Sequence, residues 1–132
     1  MLNITKTIEY ALISIRHINN NGNGKLYTAR EIASIYNIPQ ELLAKILQKL
    51  CRKGYLIGKK GINGGYSLNK NLENINLIDF IESIEGPIGI VQCSIDLNCE
   101  LLDICNIRSP MNQINNNLRK TLSKLSLYDL TI

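Results

Sequence analysis

Apolar residues recur at steps of three and four between positions 5 and 19. Ile8, Ala11, Leu12, Ile15 and Ile18 form one stripe, with Glu9, Arg16 and His17 off it. That spacing predicts an amphipathic helix, closed by Asn19-Asn20-Asn21-Gly22-Asn23-Gly24, a run that tolerates positive φ and turns the chain. His17, the only histidine, is expected on the surface near the end of that helix. Thr28-Ala29-Arg30-Glu31 has the form of a capping box, in which hydroxyl and carboxylate each satisfy a backbone N–H. A short helix through Ile32, Ala33 and Ile35 follows, and its pattern breaks at Tyr36-Asn37-Ile38. Pro39 suits the first turn of the next helix, where no N–H is needed. This helix runs to about Arg52, with Leu42, Leu43, Ile46, Leu47 and Leu50 turned inward and Gly54 as its stop. Gln40, Glu41, Lys45, Gln48 and Lys49 face outward. Two short helices across a tight turn predict a helix-turn-helix whose second helix suits a major groove. Its amide, acid and ammonium groups are types that read base edges and phosphates.

Between Gly54 and Leu68, apolar runs flank a glycine-rich loop carrying Lys59 and Lys60, the pattern of a β-hairpin. After a helix-turn-helix such a hairpin is a wing, with its lysines toward phosphate. A nucleotide-phosphate loop is excluded, because no helix follows Gly64-Gly65 directly and no Lys-Ser/Thr pair closes the loop. Asn76-Leu77-Ile78-Asp79 starts another capped helix, through Phe80, Ile81 and Ile84, that stops at Glu85-Gly86-Pro87. Farther on, Ile107, Met111, Ile114, Leu118, Thr121 and Leu125 alternate steps of four and three, a narrow seam of a and d positions expected to pair with a second copy of the chain. Ser126-Leu127-Tyr128-Asp129 looks like one more short helix cap.

Charge sharpens this picture through its distribution more than through its total of +4. Residues 1–72 carry 11 Lys/Arg against 3 Asp/Glu, a net +8, whereas residues 73–132 carry 4 against 8, a net −4. A polyanion is the expected partner of the first part. The 132 residues suit one domain plus an appendage. With no apolar run near the ~18 residues of a membrane span, the protein is expected in the cytoplasm, with no membrane partner.

In that compartment thiols stay reduced, so the four cysteines point to metal binding or redox chemistry rather than disulfides. Cys51 falls within a helical apolar pattern and is expected to be a small core residue. Cys93, Cys99 and Cys105 recur at a spacing of six. On a helix that is about 1.7 turns and scatters the sulfurs; in a strand it sets them about 20 Å apart. A loop can gather them. Thiolates are soft ligands for zinc, copper(I) or iron-sulfur clusters, and an iron-sulfur cluster commonly takes four ligands, of which three are supplied here. Asp96, Glu100 and Asp103 lie in the same stretch as candidates for the fourth.

Taken together, these elements resemble the Rrf-type family of bacterial transcriptional regulators, the group of IscR-, NsrR- and RirA-like iron-sulfur sensors. The likeness spans essentially the whole chain. It is carried by Glu9-Tyr10-Ala11-Leu12, by Leu47-Gln48-Lys49-Leu50 through Gly54, by Gly61-Ile62-Asn63-Gly64-Gly65-Tyr66, and by the spacing of Cys93, Cys99 and Cys105. The resemblance implies a homodimer that binds a double-stranded DNA operator under control of a 2Fe-2S or 4Fe-4S cluster. Members that use a histidine as fourth ligand have it three residues past the last cysteine, where this chain has Arg108, a group that does not ligate. Some members without that histidine use an acidic residue of the first helix from the partner chain, and Glu9 matches its position.

The expected fold is mainly α with a small β-hairpin wing: a winged helix-turn-helix domain over 1–86, a cluster-binding cysteine loop over 87–106, and a dimerisation helix with its tail over 107–132. The expected DNA-facing set is Thr28, Arg30, Pro39, Gln40, Glu41, Lys45, Lys49, Lys59, Lys60, Asn63, Gly64 and Tyr66, and the cluster ligands are Cys93, Cys99, Cys105 and Glu9. The function expected is a cluster-tuned transcriptional regulator, a repressor, with a cluster-free thiol-redox regulator as the alternative. A zinc-ribbon module is weakened by the wide cysteine spacing. An enzyme with a small-molecule substrate is not expected, since the single histidine has no evident nucleophile partner.

Overall fold

A computed structural model describes residues 3–21, 24–90, 100–101 and 103–130. Its elements are α1 (Lys6–Asn20), α2 (Ala29–Tyr36), α3 (Gln40–Arg52), β1 (Leu56–Lys59), β2 (Gly65–Leu68), α4 (Leu77–Glu85) and α5 (Arg108–Leu122), with short 3-10 turns at Leu72–Asn74 and Leu127–Leu130.

Each helix start predicted from the sequence through α4 has a local cause. The Thr5 hydroxyl accepts from the Ile8 N–H at the head of α1. The Thr28 hydroxyl accepts from the Glu31 N–H at 3.1 Å, and the Glu31 carboxylate turns back to that hydroxyl. Asn76 accepts from two N–H groups, of Ile78 and Asp79, at the head of α4. Between α2 and α3, Asn37 takes the left-handed conformation (φ 54°, ψ 48°) that asparagine tolerates better than most residues, and the Ile38 N–H closes on the Ala33 carbonyl at 2.9 Å. Pro39 is the N-cap of α3 rather than a residue of its first turn. α3 ends as expected, with Gly54 (φ 86°) leading the chain into the wing.

β1 and β2 pair antiparallel, Leu56 opposite Leu68 and Lys59 opposite Gly65. Tyr27 adds a single rung: its N–H donates to the Tyr66 carbonyl at 3.1 Å, and the Tyr66 N–H returns to its carbonyl at 2.7 Å. Gly65 makes this possible. Its φ is +145°, and a Cβ there would lie 2.9 Å from the Tyr27 carbonyl oxygen.

The core gathers Ile8, Ile15 and Ile18 of α1, Ile32 of α2, Leu43, Leu47 and Leu50 of α3, and Phe80, Ile81 and Ile84 of α4. Leu42 departs from the expected inward set at 38 % exposed, because Leu43 takes the core-facing place at that level of α3. His17, expected at the surface, is half-buried. Its Nδ1 lies 2.8 Å from the Tyr36 hydroxyl, and its ring packs edge-on against Tyr27 and Tyr36.

α5 also departs from the expected seam. Ile107 is its N-cap and the helix ends at Leu122, so Leu125 falls outside it. Its first residues carry no side-chain cap. After Leu122 the chain folds back on α4: the Asn76 amide donates to the Ser123 carbonyl, Leu77 N–H to the Leu125 carbonyl, and Leu127 N–H to the Ile75 carbonyl. Leu127 is buried in the same core as α1 to α4, so the tail shares a core with the winged domain. The Ser126 N–H bonds to Asp129 at 2.8 Å, the short cap anticipated there.

Candidate DNA-reading face and cysteine segment

On α3 the side chains of Gln40, Glu41, Lys45 and Gln48 are exposed on one side, while Leu43, Ile46, Leu47 and Leu50 hold the other side in the core. The helix can therefore be read from outside without disturbing its packing. Arg30 is exposed on α2, and the Thr28 hydroxyl is already committed to the α2 cap. In the wing, Lys59, Lys60 and Asn63 are exposed, and Gly64 and Tyr66 are half-buried. Burial, with Cys51 nearby, pushes the Tyr66 phenol above its usual range, so it stays a neutral donor. Ile62, which carries no charge signal, stands fully exposed at the wing tip.

Lys49 is placed differently from its companions. Its ammonium turns to α4 and donates to the Ile84 carbonyl at 2.7 Å. Tyr55 is buried at the foot of the wing, with its hydroxyl 3.1 Å from Ser83 Oγ and its ring 5.0 Å from that of Phe80. Neither contact leaves a local signature, since each joins residues about thirty positions apart.

Of the expected cluster ligands, Cys93 and Cys99 lie outside the described residues, as does Asp96. Cys105 is half-exposed beside Asp103 and Arg108 in an open groove that runs onto α5 past Ser109 and Asn112. Glu100 and Asp103 are exposed. Glu9 is half-exposed in the first turn of α1, 2.9 Å from the Lys6 ammonium. That hydrogen bond to Glu9 raises the Lys6 ammonium above the usual lysine range. Among the described residues no three His, Cys, Asp or Glu side chains come together as a metal site. A soft thiol at Cys105 and a carboxylate at Glu9 whose one ion pair is exposed, and so weak, are both open to ligation. Cys51, expected within the core, is half-buried at its edge. It packs against the core under the wing, where a Cβ on Gly58 would lie 3.5 Å from its Sγ. Burial pushes its thiol up, which keeps it protonated and a poor ligand.

The loop that leads to the cysteines is fastened where it leaves α4. The Ile88 carbonyl accepts from Arg119 at 3.2 Å, and the Ile90 N–H donates to the buried Asn115 of α5 at 3.0 Å. Beyond it, α5 presents Ile107 at 56 %, Ile114 at 52 % and Leu118 at 40 % exposed. Among the described residues no helix is long and apolar enough to cross a membrane.

A helix-turn-helix with a two-stranded wing, followed by a helix carrying an uncovered apolar seam, is the architecture of a winged-helix transcriptional regulator. Residues 4–131 match the model of the Rrf2 family, described as an iron-dependent transcriptional regulator; the chain belongs to this family, whose members are DNA-binding transcription factors rather than enzymes. Solved structures share its fold. CymR, the global cysteine regulator of B. subtilis, is 24% identical, with 99% of this chain and 97% of that one covered and a TM-score of 0.79. IscR from T. potens is 17% identical, with 98% and 85% covered and a TM-score of 0.74. The oxidized form of CymR from Staphylococcus aureus is 19% identical, with 98% and 96% covered and a TM-score of 0.73.

Proposed function

We propose that the protein is a homodimeric transcriptional regulator that docks α3 into the major groove of a partly palindromic operator, sets its wing on phosphate, and adjusts operator binding through the Cys93–Cys105 segment. The observation that carries the DNA reading is the exposed Gln40, Glu41 and Lys45 on a helix whose opposite side is core. Arg30, Lys59, Lys60 and Asn63 are exposed beside them as further contacts. Thr28, Pro39, Gly64 and Tyr66 support the same face by holding backbone in place. With Lys59 and Lys60 contacting only backbone phosphate, changing both to Ala is expected to weaken all duplexes about equally and to lower the salt slope by ~1 to 2. Gln40→Ala or Lys45→Ala changes sequence preference instead. Fluorescence anisotropy on duplexes selected from a random pool, repeated over a salt series, checks both. Equal loss of preference in all variants overturns the division of labour.

Cys93, Cys99 and Cys105 would hold an iron-sulfur cluster, with Glu9 of the partner subunit as fourth ligand and Asp96, Glu100 or Asp103 as its competitors. When bound, the cluster supplies iron whose ligands and oxidation state respond to nitric oxide, oxidant or iron supply. A carboxylate is a harder ligand than thiolate and easier to displace, which suits a sensing site. The residues around the segment contribute position: Arg119 and Asn115 fasten Ile88 and Ile90, which precede it, to α5. Protein purified without oxygen is expected to absorb in the visible and to contain iron and acid-labile sulfide. Cys93→Ala, Cys99→Ala and Cys105→Ala each lose that absorption, whereas Cys51→Ala keeps it. Loss of colour in Cys51→Ala alone removes the assignment, and normal cluster retention in Glu9→Ala removes Glu9.

A cluster-free thiol switch is the second reading, favoured by the likeness to a global cysteine regulator and to a regulator solved in an oxidized form. Iron-free protein whose duplex affinity changes on mild thiol oxidation, and returns on reduction, selects it.

A further inference from the structure

The last turn of α4 makes an outward connection at each of four successive residues. Glu82 pairs with Arg119 of α5. Ser83 meets the Tyr55 hydroxyl at the foot of the wing. The Ile84 carbonyl accepts from Lys49 of α3, and Glu85 accepts from the hydroxyl of Thr5, the N-cap of α1, at 2.8 Å. Four consecutive residues go once around a helix, so this one turn touches the dimer helix, the wing, the recognition helix and the first helix. The chain leaves it directly through Gly86 toward the cysteines.

The Lys49 contact is the one with a charge to place. The last carbonyls of a helix have no partner within it and form the negative end of its dipole. A lysine that reaches them satisfies an acceptor and complements that field. Lys49 also lies in the last turn of α3, so the C-terminal ends of two helices favour its ammonium where it sits. Half-buried and already bonded, it differs from the free, solvated Lys45, Lys59 and Lys60.

We infer that Lys49 is a positioning residue: its bond to the last turn of α4, with the Tyr55–Ser83 contact beside it, seats the recognition helix and wing on α4 and, through Glu82–Arg119, relative to α5, and its ammonium does not contact DNA. This rests on the DNA-binding reading above and takes Lys49 out of the DNA-facing set expected from the sequence.

Salt dependence separates the two roles, because each phosphate-bound lysine removed lowers the slope of log affinity against log salt by about 1. The test measures wild type, Lys49→Met, Lys49→Arg, Tyr55→Phe and, as the phosphate control, Lys59→Ala on a 30-base-pair duplex selected from a random pool. Lys49→Met is expected to bind about tenfold more weakly with an unchanged salt slope. Lys49→Arg, which can still donate to the Ile84 carbonyl, stays within about threefold of wild type. Tyr55→Phe, which removes one hydroxyl from a retained ring, weakens binding with an unchanged slope and keeps the inference testable where Lys49→Met is too unstable to measure. A slope reduced by about 1 in Lys49→Met, or wild-type affinity in both Lys49→Met and Tyr55→Phe, overturns the inference and leaves the DNA-binding reading intact. A wild type that binds no duplex at low salt removes that reading, and this inference with it.

Discussion

Phe80→Ala is expected to destabilise the protein by about 3–5 kcal/mol, a large part of the roughly 5–15 kcal/mol that holds a typical domain together. Phe80 is fully buried on α4, and its ring meets that of Tyr55 5.0 Å away at an interplanar angle of 64°. Removing it takes away the transfer free energy of a whole ring and the edge-to-face contact. It also leaves a cavity that α4 cannot close without moving its last turn, which is bonded to four other elements. With a urea slope of about 1–3 kcal/mol/M, the midpoint falls by more than about 1 M. Urea melts followed by circular dichroism, at one fixed protein concentration so that self-association contributes equally to every variant, measure the change. Ile62→Ala at the fully exposed wing tip is the control, expected within about 0.5 kcal/mol of wild type. A Phe80→Ala penalty below about 1 kcal/mol would contradict the described core.

Ile114→Glu combined with Leu118→Glu is expected to abolish dimerisation and to lower affinity for a two-half-site operator by about 100-fold or more. Both side chains lie one turn apart on the uncovered side of α5, so a single chain loses little by the change. Two copies brought together would bury two carboxylates each in an apolar seam, where an unpaired charge is strongly unfavourable. The loss on DNA is larger than the seam itself, because a dimer presents its second recognition helix at high effective concentration and a monomer does not. Sedimentation equilibrium with duplex binding, and circular dichroism to establish that the variant is folded, decide the matter. A variant that remains dimeric shows that the interface lies elsewhere.

The parts of this protein that were legible in its sequence are those whose cause is local. The stripe Ile8, Ala11, Ile15, Ile18, the Thr28 and Asn76 caps and the Gly54 turn after α3 each act within a few residues, so a short window contains the whole reason for the structure. The recognition helix was legible for the same reason, although Leu42 could not be separated from Leu43 by spacing alone. Its neighbour in sequence takes the core, and only the angle at which α3 packs decides which of the two it is.

What the sequence hid is long-range. Leu125 keeps the heptad rhythm with Leu118, yet the helix stops at Leu122 because Asn76, 47 residues away from Ser123, takes the Ser123 carbonyl and draws the tail toward α4. Lys49 reads as one more outward cation until the end of α4 is placed beside it. Tyr27 forms one rung with Tyr66 and nothing more, too short a strand to leave an alternating pattern. The cysteine spacing points to chemistry without geometry, since Cys93 and Cys99 lie outside the described residues.

Fastening α5 to α4 both at Arg119–Glu82 and beyond its C-terminal end has a mechanical consequence. The fifteen residues of α5 make a rod about 22 Å long, held near one end with little freedom to pivot independently. A tilt of about 5° where two such rods cross would carry the attached domain through about 2 Å at that radius. A displacement of that size equals most of a hydrogen-bond length. In the proposed dimer, small angular changes at such a crossing would be geared into the gain or loss of register with a second half-site, with no hinge inside the winged domain required.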